Sequence, residues 1–472
     1  MLSYWQLLRR SCAQIEGLHQ GIMTEVKTVL RHIVTKKGGE TFSLGLPSLL
    51  AFILLATPSS VTADQSGDFS YSSDGTNITI TTYTGAGTKY DGPGVAVVIP
   101  NTINGLPVTK IGEAVFRDCR TLTNITIPDS VTSIGAEAFC RCEHLTSITI
   151  PAGVTNIGRG AFIRCEGLTS LTIPRGVTTI QEDTFCACEP LKSVTLPDTV
   201  TRIGAEAFRQ CISLTSVTIP ESVTNIGYQA FRDCYGLQSI TIPDSVISLG
   251  NRAFYSSTGL TNVTIGNGVT SIGDEVFWCL WNLTSITIPS SVTSIGSLAF
   301  WNCRKMRSVT IPSSVTNIGP QAFYGCVSLS SIAIPNSVAT IREGAFWMCS
   351  SLAQVYSLGN APEVGSGAFG PSNNASVYYL PDTIGWGGTL AGSSAILWSP
   401  RITQPLPDAG RAGFSFKITA NTDIPIAIDA TTNILTGPWL RLQTTTLSNG
   451  TLNFQDPDST NYTVRFYRIG AP

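Results

Sequence analysis

The sequence predicts a solenoid of stacked coils, with a parallel sheet on one face and short helical turns opposite, followed by a small all-β module. The first observation is a phenylalanine that recurs at an unbroken 23-residue interval from Phe116 to Phe369. The second is the strand motif L-x-x-I-x-I, which appears once in each interval. The third is a proline and a glycine that punctuate most units. A fixed period of this length indicates coils that pack only against their neighbours.

The strand motif predicts one short strand per coil. In the unit that begins at Pro128, the apolar residues Leu145, Ile148 and Ile150 alternate with polar ones, and β-branched side chains favour an extended backbone. Pro151 then ends the strand, because proline cannot donate to a sheet ladder. Strands that recur in register from coil to coil form a parallel sheet along one face.

The remainder of each coil predicts a bend and a turn. In the same unit, Val131 and Ile134 are expected to point inward, and Gly135 allows a tight bend. The sequence Ala-Glu-Ala-Phe at 136–139 predicts one short helical turn that ends in a large ring. This ring fills the wide side of the coil, and the rings of successive coils are expected to pack edge to face or offset.

These motifs resemble those of the BspA-like leucine-rich repeats, in which L-x-x-[IV]-x-[IL]-P alternates with A-F-x-x-C. The resemblance extends from Val108 to Pro381 and implies a leucine-rich repeat fold with a secreted or surface-exposed binding role. Gly266 replaces the proline of the motif, and Gln181 and Arg342 replace its glycine. The last coil, at 361–369, departs furthest from the motif, as a terminal capping repeat should.

The N-terminal segment 1–63 predicts a mis-called start region followed by a secretory signal peptide. The 13-residue apolar run Leu44–Ala56 follows Lys36 and Lys37 and precedes a small-x-Ala cleavage signal at Ala63. A membrane anchor is the alternative, but it needs about 20 apolar residues. Met23 is a second possible start closer to the apolar run. We therefore expect a secreted or cell-surface protein whose mature chain does not insert into a membrane.

The remaining boundaries follow from changes in pattern. Residues 64–107 predict a β cap over the first coil, whose sheet edge would otherwise be open. Residues 108–381 form the solenoid of about twelve coils, and the proline-containing segment 382–409 predicts a linker. Alternating short strands in 410–472 predict a small β-sandwich. Within it, Asp456, Asp458 and Asn461 could hold calcium, although a polar turn is the simpler interpretation.

Composition argues against several functions. Charged residues make up 13% of the chain, the net charge is −2 and the pI is about 6.0, which disfavours nucleic acid and anionic lipid as partners. Cleavage after Ala63 would leave His144 as the only histidine, so histidine-based catalysis and metal binding are disfavoured. No nucleophile motif or phosphate-binding loop is recognisable. We expect no enzymatic activity, no cofactor and no metal.

Cysteines recur at a second fixed position of the repeat, separated by 23 residues or multiples of 23. Ser257 stands in for cysteine once, and Cys279 is displaced by one position. Adjacent positions about 4.8 Å apart would permit disulfides, but ladder side chains point the same way, which favours buried free thiols. The pairs Cys140/Cys142 and Cys186/Cys188 have C-x-C spacing, which is unfavourable for zinc. The register comprises Cys119, Cys142, Cys165, Cys188, Cys211, Cys234, Cys303, Cys326 and Cys349.

The position after each phenylalanine is the candidate ligand-binding site. From Arg117 to Arg232 it holds arginine, cysteine or isoleucine, and it then becomes aromatic in five consecutive coils. Exposed aromatic rows bind sugars or protein partners, although these rings could instead pack on one another. Arg232 could extend the row by a cation–π contact. The aromatic row consists of Tyr255, Trp278, Trp301, Tyr324 and Trp347.

The sequence therefore predicts a non-enzymatic, adhesin-like binding protein that recognises a protein or a glycan through the faces of its solenoid. The outward positions of the strands carry a nearly uniform lattice of serine and threonine, which suits a repetitive ligand or simply solubility. The alternative function is a passive spacer that displays, or is anchored by, the C-terminal β module. An enzyme in that module is a third and less favoured hypothesis.

Overall fold

The computed structural model describes residues 64–86, 94–370, 375–405, 414–420 and 422–470. The predicted signal peptide and start region lie outside these residues. Within the described part of the chain, no helix has the length and apolar composition that crossing a membrane requires.

The predicted strand is present in every coil but one, where Ser216 makes only an isolated bridge to Ser193, and the paired strands lie parallel, 23 residues apart through most of the array. Ser170–Thr172, for example, pairs with Ser193–Thr195. We call this surface the strand face. Its strands are Val95–Val98, Leu122–Thr126, Ser147–Ile148, Ser170–Thr172, Ser193–Thr195, Ser239–Ile242, Asn262–Ile265, Ser285–Thr287, Ser308–Thr310, Ser331–Ile334, Gln354–Ser357, Ser376–Tyr379 and Ser393–Leu397, with Thr389–Leu390 antiparallel to the last.

Each coil also contains a second short strand that the sequence analysis did not predict. It is usually two residues long, and its isoleucine or other aliphatic residue lies in the x-I-G motif. These strands form a second parallel ladder in three segments. They are Ile78–Tyr83, Leu106–Ile111, Ser133–Ile134, Asn156–Ile157, Thr179–Ile180, Arg202–Ile203, Asn225–Ile226, Ser248–Leu249, Ser271–Ile272, Ser294–Ile295, Asn317–Ile318, Thr340–Ile341 and Glu363–Val364.

The predicted helical turns are instead β-turns, and we call the surface that they form the turn face. Glu137 and Arg141 both have left-handed backbones, with φ of 51° and 60°, and the equivalent residues of the other coils repeat this conformation. A non-glycine residue in this conformation costs about 1–2 kcal/mol. The amides of Glu137 and Arg141 donate to carbonyls of the next coil at 2.8 and 2.7 Å. Hydrogen bonds between coils therefore offset a strain that local helix propensity alone would avoid.

The phenylalanine register is the centre of the core. All twelve rings are fully buried, and successive rings lie 5.1–5.8 Å apart with interplanar angles of 2–20°. The rings are thus stacked and offset rather than edge to face, because every coil presents its ring in the same orientation. At the N-terminal end, Tyr83 and Phe69 pack against Phe116 at 5.1 and 6.5 Å.

The N-terminal cap joins both ladders. Asp64–Ser66 and Phe69–Ser73 form a hairpin that continues into Ile78–Tyr83, which pairs with Leu106–Ile111 in the second ladder. Val95–Val98 pairs with Leu122–Thr126 on the strand face. Thr102–Ile103 folds back on Leu106–Ile111. The cap therefore extends both sheets of the first coil.

The described cysteines are free, and they do more than fill space. Eight thiols of the register donate to the carbonyl of the phenylalanine 26 residues earlier, at Sγ···O distances of 2.9–3.3 Å. The Ser257 hydroxyl makes the equivalent bond to Phe231 at 2.6 Å. Serine can replace cysteine at this position because a donor is what the buried carbonyl requires.

We expect the native thiols to resist modification at pH 8. Burial raises the pKa of Cys119 to about 12 and that of Cys140 to about 11, and the thiolate is the reactive species. Titration with a chromogenic disulfide should therefore detect at most the half-buried Cys186 in the native chain 64–472, and all twelve cysteines in guanidinium. Rapid reaction of several thiols without denaturant would contradict the buried register.

The C-terminal module consists of two three-stranded antiparallel sheets. One sheet contains Arg401–Pro405, Phe414–Thr419 and Thr451–Asp456. The other contains Leu440–Thr446, Pro425–Thr431 and Phe466–Gly470, and the 3-10 helix Pro457–Asn461 precedes the last strand.

The predicted linker 382–409 differs from the structure in its described part. Ser393–Leu397 is the last parallel strand of the strand face, and Arg401–Pro405 belongs to the C-terminal module. Tyr356 and Tyr378 of the last coils pack in the same apolar cluster as Phe416 of the module. The Trp398 indole donates to the Pro425 carbonyl at 2.9 Å. The solenoid thus continues directly into the module with a shared apolar contact.

Candidate functional site

The aromatic row lies on the turn face, and the backbone of each coil fixes its register. The amides of Phe254, Phe277 and Phe300 donate to the next coil at 2.7–3.0 Å. Since each phenylalanine ring points into the core, the side chain that follows it points outward. The side chains of successive coils are therefore held one above another at this position.

Four of the five predicted residues form one continuous ring stack. Tyr255 and Trp278 are 4.2 Å apart, Trp278 and Trp301 are 4.7 Å apart, and Trp301 and Tyr324 are 5.6 Å apart, with interplanar angles of 3–11°. All of these side chains are half-buried. The interior rings use both faces against one another, so a ligand can reach their edges but cannot lie flat on them.

Trp347 is placed differently from the other four. Its ring packs over Gly367 and Gly370 of the last coil, where any Cβ would collide with or crowd the indole. Both glycines have φ of 62°, a conformation that favours glycine. The Tyr324 hydroxyl lies 3.0 Å from the sulfur of Met348, the neighbour of Trp347. Trp347 therefore closes the end of the row and seals the final coil.

Arg232 covers the other end of the row. Its guanidinium carbon lies 4.9 Å from the centroid of the Tyr255 ring, and its Nε is 3.0 Å from Asp233. Arg252 approaches the same ring at 5.9 Å and pairs with Glu275 at 2.7 Å. The cation–π contact that the sequence suggested is thus present, and it occupies the free face of the first ring.

The turn face changes character where the row begins. Its N-terminal part carries a series of ion pairs, whereas the stretch from Trp278 to Gly370, which is described throughout, contains none. The pairs before this point are Arg117–Glu137, Arg120–Glu143, Arg141–Asp118, Arg159–Asp183, Arg209–Glu206, Arg232–Asp233 and Arg252–Glu275.

Sequence reasoning missed three exposed apolar side chains on the same part of the turn face. Trp281 is 45% exposed, Val327 is 36% exposed and Met348 is 47% exposed. Arg304 lies over the Trp281 ring at 5.5 Å. Trp281 and Val327 follow the cysteine register by one position, where Arg120 and Glu143 stand in earlier coils. Reading that second register would have identified them.

One cluster contains the ligand atoms of a metal site, but its carboxylates are already paired with arginines. Ligand atoms of Asp183, Cys186 and Glu206 lie within 4.8 Å of one another. However, Arg159 already pairs with Asp183 at 3.0 Å, and Arg209 pairs with Glu206 at 2.6 Å. Burial raises the pKa of Cys186 to about 12, so its thiol is protonated at neutral pH. The guanidinium groups of the two arginines balance the charge of the two carboxylates, so the cluster does not need a metal ion for this.

The acidic turn of the C-terminal module is likewise engaged internally. Asp456 is 2% exposed, and its carboxylate accepts hydrogen bonds from the Tyr467 hydroxyl at 2.8 Å and from the Asp458 amide at 3.1 Å. Arg465 pairs with it at 2.8 Å. Asp456 caps the short 3-10 helix, which is the structural role that the sequence favoured over calcium.

Comparison with known proteins supports the repeat assignment. The BspA type leucine rich repeat region matches the chain in six copies, over residues 97–211, 178–306 and 270–385. A leucine-rich repeat protein of T. pallidum is 32% identical, with 47% of this chain and 90% of that chain covered and a TM-score of 0.36. No curated protein matches the chain significantly.

Two further solved structures are similar to the chain. A leucine-rich repeat protein from Bacteroides ovatus is 25% identical over 67% of this chain and 94% of that chain, with a TM-score of 0.48. The pneumococcal vaccine antigen PcpA is 20% identical over 71% of this chain and 85% of that chain, with a TM-score of 0.43. The family match spans more than half of the chain and coincides with the 23-residue coils described above. The chain therefore belongs to the BspA-type leucine-rich repeat family.

Proposed function

We propose that this is a secreted or cell-surface, non-enzymatic binding protein that uses the turn face between Tyr255 and Trp347 to hold a partner. One observation carries the proposal. The turn face carries an aromatic row from Tyr255 and loses its ion pairs after Glu275, while the coil geometry stays the same. A fold that needed only uniform packing would have no reason to change one outward position in five consecutive coils.

The stacking geometry favours a protein over a glycan as the partner of the row. Sugars bind aromatic residues by lying on a ring face, and here the interior ring faces are covered by neighbouring rings. The coils that carry the row also expose Trp281, Val327 and Met348. Half-buried aromatic residues beside exposed apolar side chains are typical of the centre of protein interfaces.

Secretion is supported by the apolar run Leu44–Ala56 and the small-residue cleavage signal after it. Membership of the BspA-type family is consistent with this location, since such proteins are generally bacterial surface or secreted proteins. A passive spacer, the alternative, would require no feature like the aromatic row. Deletion of the module would test the spacer function, but it would also expose Tyr356 and Tyr378, which pack against the module. Point substitutions on the turn face leave this contact intact and are therefore the better test.

The test is retention of the chain 64–472 on an array of purified extracellular proteins and glycans. Combined replacement of Trp278, Trp301 and Trp347 by alanine should abolish retention by the protein that binds the wild type. Each interface tryptophan contributes on the order of 2 kcal/mol, or about 30-fold in the dissociation constant.

The matched control replaces Arg117, Ile163 and Arg209, which occupy the same register in earlier coils, with alanine. This variant should bind like the wild type, and circular dichroism should show both variants folded. Equal retention of the two folded variants would contradict the role of the row. Retention on glycans alone would exclude a protein as the partner.

A further inference from the structure

The strand face is interrupted at several places, and one of these seams lies in the middle of the array between Asn262–Ile265 and Ser285–Thr287. Asn262–Ile265 pairs fully with Ser239–Ile242, and Ser285–Thr287 pairs with Ser308–Thr310. No backbone hydrogen bond joins Asn262–Ile265 to Ser285–Thr287, although both strands are described throughout. The peptide groups of the two strands that face this seam therefore have no backbone partner.

The local sequence distinguishes this seam from the others, which retain the proline of the repeat. Gly266 replaces the proline of the repeat, and a Cβ at this position would collide with the backbone of Pro243 and Asp244. Between the two strands lies a groove of about 350 Å³, a volume within the range of small-molecule sites.

The groove is uncharged, and its lining is polar and apolar in similar measure. Five hydroxyl or amide side chains line it together with buried aliphatic residues, and no titratable side chain takes part. Asn262 stands where the neighbouring coils have Ser239 and Ser285. The polar side chains of this strand-face groove are those of Asn262, Thr264, Asn267, Ser285 and Thr287.

One of these side chains is held in place by a neighbouring coil. Asn267 donates its backbone amide and its Nδ2 to Asp244 Oδ1, at 2.7 and 3.4 Å. This arrangement fixes the side chain and leaves its Oδ1 as an acceptor. A preoriented amide of this kind provides specificity in a small-molecule site.

We propose that the strand-face groove binds a neutral carbohydrate. Sugar hydroxyls both donate and accept hydrogen bonds, as do the hydroxyl groups, amides and unpaired peptide groups of the groove. A charged ligand would lose its hydration without meeting an opposite charge. The site lies on a different face from the aromatic row, and the inference does not depend on the protein partner proposed for that row.

The experiment measures binding of the chain 64–472 to neutral tetrasaccharides of glucose, galactose, mannose and N-acetylglucosamine, by saturation-transfer NMR and calorimetry. Sulfated galactose tetrasaccharide serves as the charged counterpart. Ser285→Trp should fill the groove and weaken binding of the preferred neutral sugar by at least about tenfold, which is about 1.4 kcal/mol.

The control is Ser193→Trp, at an equally exposed position of the same register where the strand is paired with Ser170–Thr172 and bridged to Ser216. It should bind like the wild type, and so should the triple tryptophan variant of the aromatic row. The proposal is overturned if the wild type binds none of the neutral sugars or prefers the sulfated one. Equal binding by Ser285→Trp and Ser193→Trp would also overturn it.

Discussion

Replacement of Phe254 by alanine is expected to lower the free energy of unfolding by about 3–5 kcal/mol. The ring is fully buried and stacks on Phe231 and Phe277 at 5.4 and 5.8 Å, so its removal leaves a cavity and two uncovered ring faces. Because each coil contacts only its neighbours, the damage should be concentrated around this coil. Denaturant unfolding of the chain 64–472 measures the loss, and hydrogen exchange locates it.

Two controls distinguish the loss of the aromatic ring from the effect of substitution in general. Phe254→Leu keeps most of the apolar volume and should cost less than the alanine variant. Thr241→Ala, at an exposed site of the strand face, should change stability by no more than about 0.5 kcal/mol. If Phe254→Ala were as mild as Thr241→Ala, the stacked rings would not be the core of the solenoid.

Asp456→Ala is expected to destabilise the C-terminal module by about 3–5 kcal/mol. Arg465 is only 6% exposed in its side chain, and loss of its carboxylate partner leaves a buried charge without compensation. The Tyr467 hydroxyl would lose its acceptor, and the 3-10 helix would lose its cap. Thermal unfolding and limited proteolysis within 414–470 measure the effect.

Asp458→Ala is the matched control, since Asp458 is exposed and lies two residues away. Its effect should remain within about 0.5 kcal/mol. Similar losses in the two variants would show that the turn, rather than the buried ion pair, determines the stability of the module. A stabilisation by calcium that Asp458→Ala removes would revive the metal interpretation of this turn.

The coil number and the core could be predicted because they depend on a strict period. Each phenylalanine occupies the same environment, so one register identified all twelve buried rings. The helical turn could not be predicted correctly. The sequence Ala-Glu-Ala-Phe favours a helix locally, whereas the left-handed backbone of Glu137 is stabilised by a hydrogen bond to the next coil. The two-residue second strand is likewise too short to produce a recognisable pattern.

The candidate site was also predicted in part. The sequence placed Tyr255 and its successors in one register and suggested the Arg232 contact, since both follow from spacing. It could not show that Trp278 and Trp301 cover each other's faces, because ring orientation depends on side-chain packing between coils. Gly266 was recognisable as a departure from the motif, but the groove beside it lies at a gap in backbone pairing between two coils, which the sequence pattern does not reveal.

The central functional claim is that the aromatic half of the turn face contacts a partner. Hydroxyl-radical footprinting of the chain 64–472, with and without the protein that it retains on the array, tests this most directly. The account predicts protection of Trp278, Trp281 and Met348 in the complex, with Ile247, 67% exposed outside the turn face, unchanged. Protection of Ile247 or of the ion-paired N-terminal coils, with the three turn-face side chains unchanged, would contradict it.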